Sequence, residues 1–139
     1  MPKNAATDAE INACFDMMSA LRPRLKRDTF LATIRSMQAD GYLLAFINEN
    51  DKPLAAAEYR ILSNLHYGKY RYVDDLVTAT DFRSTGQRKA MLAWLTDLAL
   101  KENWAVIHLA SGKQRAEAHN LYCREGFNIT SYHCARLLG

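Results

Sequence analysis

Cysteine is scarce and unpatterned. Cys14, Cys123 and Cys134 stand far apart, the count is odd, and no Cys-x-x-Cys spacing occurs. That argues against a disulfide framework and a thiolate zinc site, and reads as reduced thiols in a cytoplasm. The four histidines, His66, His108, His119 and His133, also lack metal-ligand spacing, so no metal is expected. No apolar run approaches the ~18 residues of a membrane span. The opening residues reach Asp8 and Glu10 without an apolar stretch, so no signal peptide is expected.

A large charge of one sign is missing too. Lys and Arg number 18 and Asp and Glu 15, a net +3. This slightly favours anionic ligands and is too small to argue for nucleic acid. There is no repeat, low-complexity tract or Pro/Gly/Ser linker. The 139 residues, 49% hydrophobic and 24% charged, read as one domain over 1–139. A chain this long buries roughly 68% of its unfolded surface and needs no staple.

Helical spacing of Ile11, Cys14, Phe15, Met18 and Leu21 predicts a first helix over 8–21. Thr7 with Glu10 fits a capping box, and Pro23 helps end the helix. A basic turn, residues 22–27, leads to Asp28, a candidate cap for a second helix with Phe30, Leu31, Ile34 and Met37 on its apolar face. Residues 42–47 and 54–62 read as a hairpin around a turn at 48–53, and 70–78 as the clearest strand. Met91, Trp94, Leu95 and Leu98 form a helical stripe over 87–101. A short strand at 105–110, a helix over 115–125 stopped by Gly126, and a closing strand at 128–137 complete the reading. The fold class is α/β: a mixed, mostly antiparallel sheet flanked by helices.

Three places carry chemistry. Arg83-Ser84-Thr85-Gly86-Gln87-Arg88-Lys89 opens a helix, whose first amides lack intrahelical partners and whose dipole attracts anions. Gly86 lets the backbone approach a phosphate. The plain reading is a solvated basic turn. Asp74 and Asp75 interrupt an apolar strand. A lysine-like amine, pKa about 10.4, must lose a proton before it attacks, and a carboxylate can take it. Strand alternation sends the two to opposite faces, with Asp75 preferred as base and Asp74 as structural partner or substrate contact. Both could instead be salt-bridge or capping groups. Tyr122, on a later helix, could hand a proton to a leaving group or simply pack.

The ordered set resembles the GCN5-related N-acetyltransferase (GNAT) family. Arg83-x-x-Gly86 before a long helix is similar to its coenzyme A signature. Residues 72–78 sit where it has its central strand, and Ala118-x-x-x-Tyr122-x-x-x-Gly126-Phe127 is similar to its later helical segment. The resemblance implies acetyl-CoA as co-substrate, its pantetheine arm on Leu76, Val77 and Thr78 and its pyrophosphate on residues 83–89. It implies direct attack by a primary amine, a strand amide facing the thioester oxygen, and Tyr122 beside the sulfur as its proton donor. The chain departs from the family at Arg88, where a second small residue is usual, and at Thr80-Asp81-Phe82, where a Pro is usual. The family's first strand would be short or missing.

The resulting expectation is an N-acetyltransferase with a small-molecule amine acceptor favoured. The alternative is a non-catalytic acyl-CoA sensor, to which Arg88 points. Nucleic-acid binding through residues 22–27 and 83–89 is disfavoured by the modest charge. The resemblance implies direct attack without an acyl-enzyme, so Cys123 is read as a buried thiol and not a nucleophile. Open sheet edges leave room for a homodimer.

Overall fold

Asn50 and Asp51 sit at positive φ, 52° and 61°, a conformation these two residues tolerate. They make the turn between β2 (Tyr42–Glu49) and β3 (Lys52–Asn64) only two residues long. In this computed structural model, which describes residues 1–79, 86–111 and 115–139, that hairpin is the start of a five-stranded sheet ordered β1-β2-β3-β4-β5. β4 (Gly68–Thr78) returns antiparallel to β3. β5 (Ile107–Leu109) pairs parallel with β4. At the other edge β1 (Lys3–Asn4) pairs antiparallel with β2 through Lys3–Phe46 and Asn4–Ala45. The first strand is thus present but two residues long.

The chain falls into two compact units, Met1–Leu109 and Ala110–Gly139. In the first, helices cover both faces of the sheet. α1 (Asp8–Ala13), α2 (Phe15–Leu21) and α3 (Arg27–Ala39) pack Ile11, Cys14, Met18, Phe30 and Ile34 on Leu44, Phe46, Ala56 and Val77. The capping box of Thr7 and Glu10 is formed in full. The single helix expected over 8–21 breaks at Cys14. Its amide bonds Ile11 O, and its thiol, 3.5 Å away, bonds the Glu10 carbonyl that a continuing helix would use for that amide. Burial pushes the Cys14 thiol up to about 12, so it stays protonated. α3 is capped by Lys26 rather than Asp28, which falls in the first turn, where the dipole favours an acid.

α4 (Gln87–Lys101) lies on the opposite face, where Tyr59 meets Trp94 edge-on at 6.5 Å. Ala55, Ala56 and Ala57 are fully buried; small side chains in the middle strand let helices approach from both sides. In the second unit, α5 (Ala116–Arg124) is followed by a segment with no strand. The strand expected over 128–137 is absent, and the segment is exposed. Among the described residues no helix is long and apolar enough to cross a membrane.

Phe30 is 1% exposed and edge-on to Phe15 at 5.2 Å. Phe30→Ala should destabilise the protein by about 3–5 kcal/mol, read from the urea midpoint. A loss under about 1 kcal/mol would contradict this account of the core.

Candidate active site

The β3–β4 ladder shifts register once. Glu58 opposes Asp75, and the next residue of β3, Tyr59, opposes Val73. Asp74 is the extra residue of a β-bulge. A bulge resets side-chain alternation, and here it brings Asp74 and Asp75 to one face. Both carboxylate oxygens of Asp74 accept from Arg60, Nε at 2.9 Å and Nη2 at 2.8 Å. Arg60 shares its face of β3 with Glu58, two residues away. Arg22, at the end of α2, donates from Nη2 to Asp75 Oδ1 at 2.5 Å. The expectation that the two aspartates face opposite sides is therefore corrected.

Between these ion pairs lies Glu58, which the sequence reading did not single out. It is 7% exposed. Burial, then the nearby Asp75 and Asp74, push its carboxyl up to about 7, against the pull of Arg22 and Arg60. Among the described residues no donor bonds it. Its signal in the sequence was a lone acid in the apolar run Leu54-Ala55-Ala56-Ala57-Glu58-Tyr59. The Arg60 guanidinium is also flanked by the rings of Tyr42 and Tyr72, at 5.0 and 5.1 Å.

The same strand opens on its other edge. β4 and β5 pair from Arg71–Ile107 to Val73–Leu109 and no further. Residues 74–78 have β3 on one side and, among the described residues, no strand on the other. The Ala79 amide bonds Leu54 O, toward β3, at 2.9 Å. Amides alternate along an antiparallel strand, so those of Leu76 and Thr78 point to the open edge, and the Val77 amide points to β3. The side chains of Leu76, Val77 and Thr78 are buried. An outward row of this kind can bond an extended, amide-containing ligand, and one amide can face a developing oxyanion.

α4 begins where β4's open end leads. Arg83, Ser84 and Thr85 lie outside the described residues, as do 80–82 and 112–114. Gly86 is the N-cap, at φ 85°, a conformation that favours glycine. A Cβ built there would meet nothing within 4 Å, so the backbone angle and not crowding inside the protein calls for glycine. Gln87, Arg88 and Lys89 form the first turn, whose amides have no helical acceptor. Arg88 is half-buried, and its Nε is buried without a hydrogen-bond partner among the described residues.

In the second unit, Tyr122 is half-buried on α5, its ring 5.9 Å from Phe127 and inclined by 61°. Gly126 takes φ 90°. Its amide bonds Cys123 O and the Phe127 amide bonds Tyr122 O, the paired bonds of a Schellman stop with its hydrophobic contact. Gly126-Phe127 thus ends the helix and fixes the tyrosine. Cys123 is exposed, not buried. His108 is half-buried, and its Nε2 is buried without a hydrogen-bond partner among the described residues. Its ring meets Tyr67 and Tyr70 edge-on at 4.7 and 4.8 Å. Burial, then His66, lower its pKa.

Among the described residues no cluster of His, Cys, Asp or Glu could hold a metal.

The family model for the acetyltransferase (GNAT) family matches residues 10–127. An uncharacterised N-acetyltransferase of Bacillus subtilis (strain 168), YhdJ, is 33% identical over 134 residues, 94% of this chain and 93% of its own. A solved transcriptional regulator from Bacillus halodurans C-125 is similar in fold, with a TM-score of 0.86, 16% identity and 99% of each chain covered. The aminoglycoside N-acetyltransferase AAC(6')-Iy, solved in complex with CoA, gives a TM-score of 0.83 at 12% identity, over 99% of this chain and 95% of its own. Fold and sequence together define an acyltransferase. The chain belongs to the GCN5-related N-acetyltransferase family.

The state of Glu58 has a consequence for stability. Its folded value, about 7, exceeds the free value of 4.5. Folding therefore favours the protonated form, and stability falls as pH rises from 4.5 through 7. Glu58→Gln removes this penalty. It should leave stability near unchanged at about pH 4.5 and raise it at about pH 8 by up to roughly 3 kcal/mol, read from urea midpoints. An equal effect at both pH values would contradict the assignment.

Proposed function

We propose that this acyltransferase moves an acetyl group from acetyl-CoA to a primary amine by direct attack, and that the amine belongs to a small molecule. The observation that carries the reading is the end of β4–β5 pairing at Val73, which leaves the amides of Leu76 and Thr78 facing an open edge. An extended pantetheine fits such an edge, Leu76 to Thr78 being its contacts, and one outward amide holds the thioester oxygen as negative charge grows. The pyrophosphate rests on the turn at 83–89. There the helix start at Gly86 supplies amide donors without protein atoms crowding the glycine, and Arg83, Arg88 and Lys89 supply charge.

The acceptor comes from the face that holds Asp74 and Asp75. With Glu58 between them the acids of that face outnumber its two guanidiniums, which favours an ammonium. Tyr122 protonates the departing thiolate. Its fixed place on α5 supports that role, since the helix stop fastens its backbone and Phe127 its ring. Support for a small-molecule acceptor comes from the aminoglycoside N-acetyltransferase of the same fold. The unpaired cysteines favour a cytoplasmic setting.

Thiol release from acetyl-CoA against a library of primary amines tests the reading. Transfer should appear with at least one acceptor. Tyr122→Phe should lower kcat by about 10²-fold with little change in KM for acetyl-CoA. Undiminished turnover would remove Tyr122 from the mechanism, and no transfer to any amine would overturn the reading itself.

A further inference from the structure

The carboxyls on the acceptor face are not equivalent. Arg60 holds both oxygens of Asp74, and Arg22 holds Asp75. A proton arriving at either aspartate would disrupt an ion pair. Glu58 faces Asp75 across the ladder, one rung from the Ala57–Leu76 pair, and no donor among the described residues bonds its carboxyl. We infer that Glu58 is the catalytic residue that takes the proton from the acceptor amine, directly or through one water, while Asp75 and Asp74 stay engaged with Arg22 and Arg60 beside it. The inference rests on the acetyl-transfer reading.

The surroundings fit a base that recharges between turnovers. The charged groups facing Glu58 are Asp74 and Asp75 from β4, Arg60 from β3 and Arg22 from α2. The neighbours from α3 and β2 are Ile34, Met37, Gln38, Tyr42, Leu43 and Leu44, none of them charged at neutral pH. Burial beside two carboxylates keeps Glu58 near neutrality, where a base can both take a proton from an ammonium and return it to solvent. In the step itself the ammonium gives one proton to Glu58. The freed nitrogen pair forms a bond to the thioester carbon, the C–S bond breaks, and the nitrogen loses a second proton. One proton ends on the coenzyme thiol. The other leaves Glu58 for water, giving amide, free thiol and one released proton.

Two measurements decide it. The first is the pH profile of kcat/KM with an acceptor found by the thiol-release screen. Wild type should show an acidic limb near pH 7. Glu58→Gln should lose that limb and fall by about 10²-fold or more. Asp75→Asn and Asp74→Asn should lower activity but keep a limb, moved to lower pH because each removes a repulsion on Glu58. The second needs no acceptor: carboxyl-carbon NMR of protein labelled with ¹³C-glutamate. One resonance should titrate near 7 and be missing from the folded Glu58→Gln variant. Retention of the limb by Glu58→Gln, or titration of Glu58 in the ordinary carboxylate range, would overturn the proposal. If no amine is acetylated, the functional reading fails, and the NMR titration still decides whether Glu58 can serve as a base at neutral pH.

Discussion

Asp74 has no partner across the β3–β4 ladder, and the consequences run along both strands. Without the extra residue, period-two alternation would send Asp74 and Asp75 to opposite faces. With it, both reach the face that carries Glu58 and Arg60. The backbone is shifted in step. The Arg71 amide points to β5 and bonds Val106 O, whereas the Ala79 amide points to β3 and bonds Leu54 O. These are residues of the same parity, so strict alternation would send both amides the same way. One inserted residue therefore sets which carboxyls meet and which amides face the open edge.

The charges gathered by that bulge are held at unequal expense. Arg22 is half-exposed and Asp75 mostly buried, 54% and 12% by side chain, so their pair is partly screened. Arg60 is more fully engaged, with Asp74 in its plane and tyrosines on either side. Glu58 alone carries its burial without a donor. A well-packed sheet has little reason to keep an acid there, since an apolar residue would relieve the penalty. Residues that weaken the fold in this way are the ones functional sites tend to retain.

What the sequence disclosed follows the reach of the forces involved. The capping box at Thr7 and Glu10 and the stripe of α4 are local, set within one or two helical turns; the box is formed as read, and the helix buries Met91, Leu92, Leu95 and Ala99 with Trp94 and Leu98 half-buried. The hairpin was legible from its Asn/Asp turn, though the strands run closer to the turn than composition suggested. The break at Cys14 was hidden because a thiol competes for the Glu10 carbonyl, and helical spacing of apolar residues continues straight through it. The bulge was hidden because register belongs to two strands at once. Glu58 was hidden with it: only the pairing with Asp75 turns an acid in an alanine run into a member of a site. The reverse error occurred at 128–137, where strand-forming residues such as Ile129, Thr130 and Tyr132 take no strand. Tyr122 shows a third case. The Gly-Phe that marks its segment has a complete local explanation as a helix stop, and that stop also fixes the tyrosine, so packing and function are not competing accounts of the motif.

The closed end of β4 explains how the open end can exist. Arg71 is 4% exposed and carries a charge among aromatic rings, over Tyr59 at 5.2 Å and Trp104 at 5.1 Å. It donates from Nη1 to the Leu95 carbonyl of α4 at 3.1 Å, while its own amide reaches Val106 beside β5. Burial lowers its pKa, the mark of a charge that the interior tolerates rather than welcomes. In return one residue ties β3, β4, β5 and α4 together at the rung where parallel pairing begins. Three rungs later that pairing has ended. A strand fastened so firmly at one end can leave its other end unpaired without unravelling, and the helix fastened to it starts at Gly86. The unpaired end of β4 thus belongs to a strand held by packing at its other end.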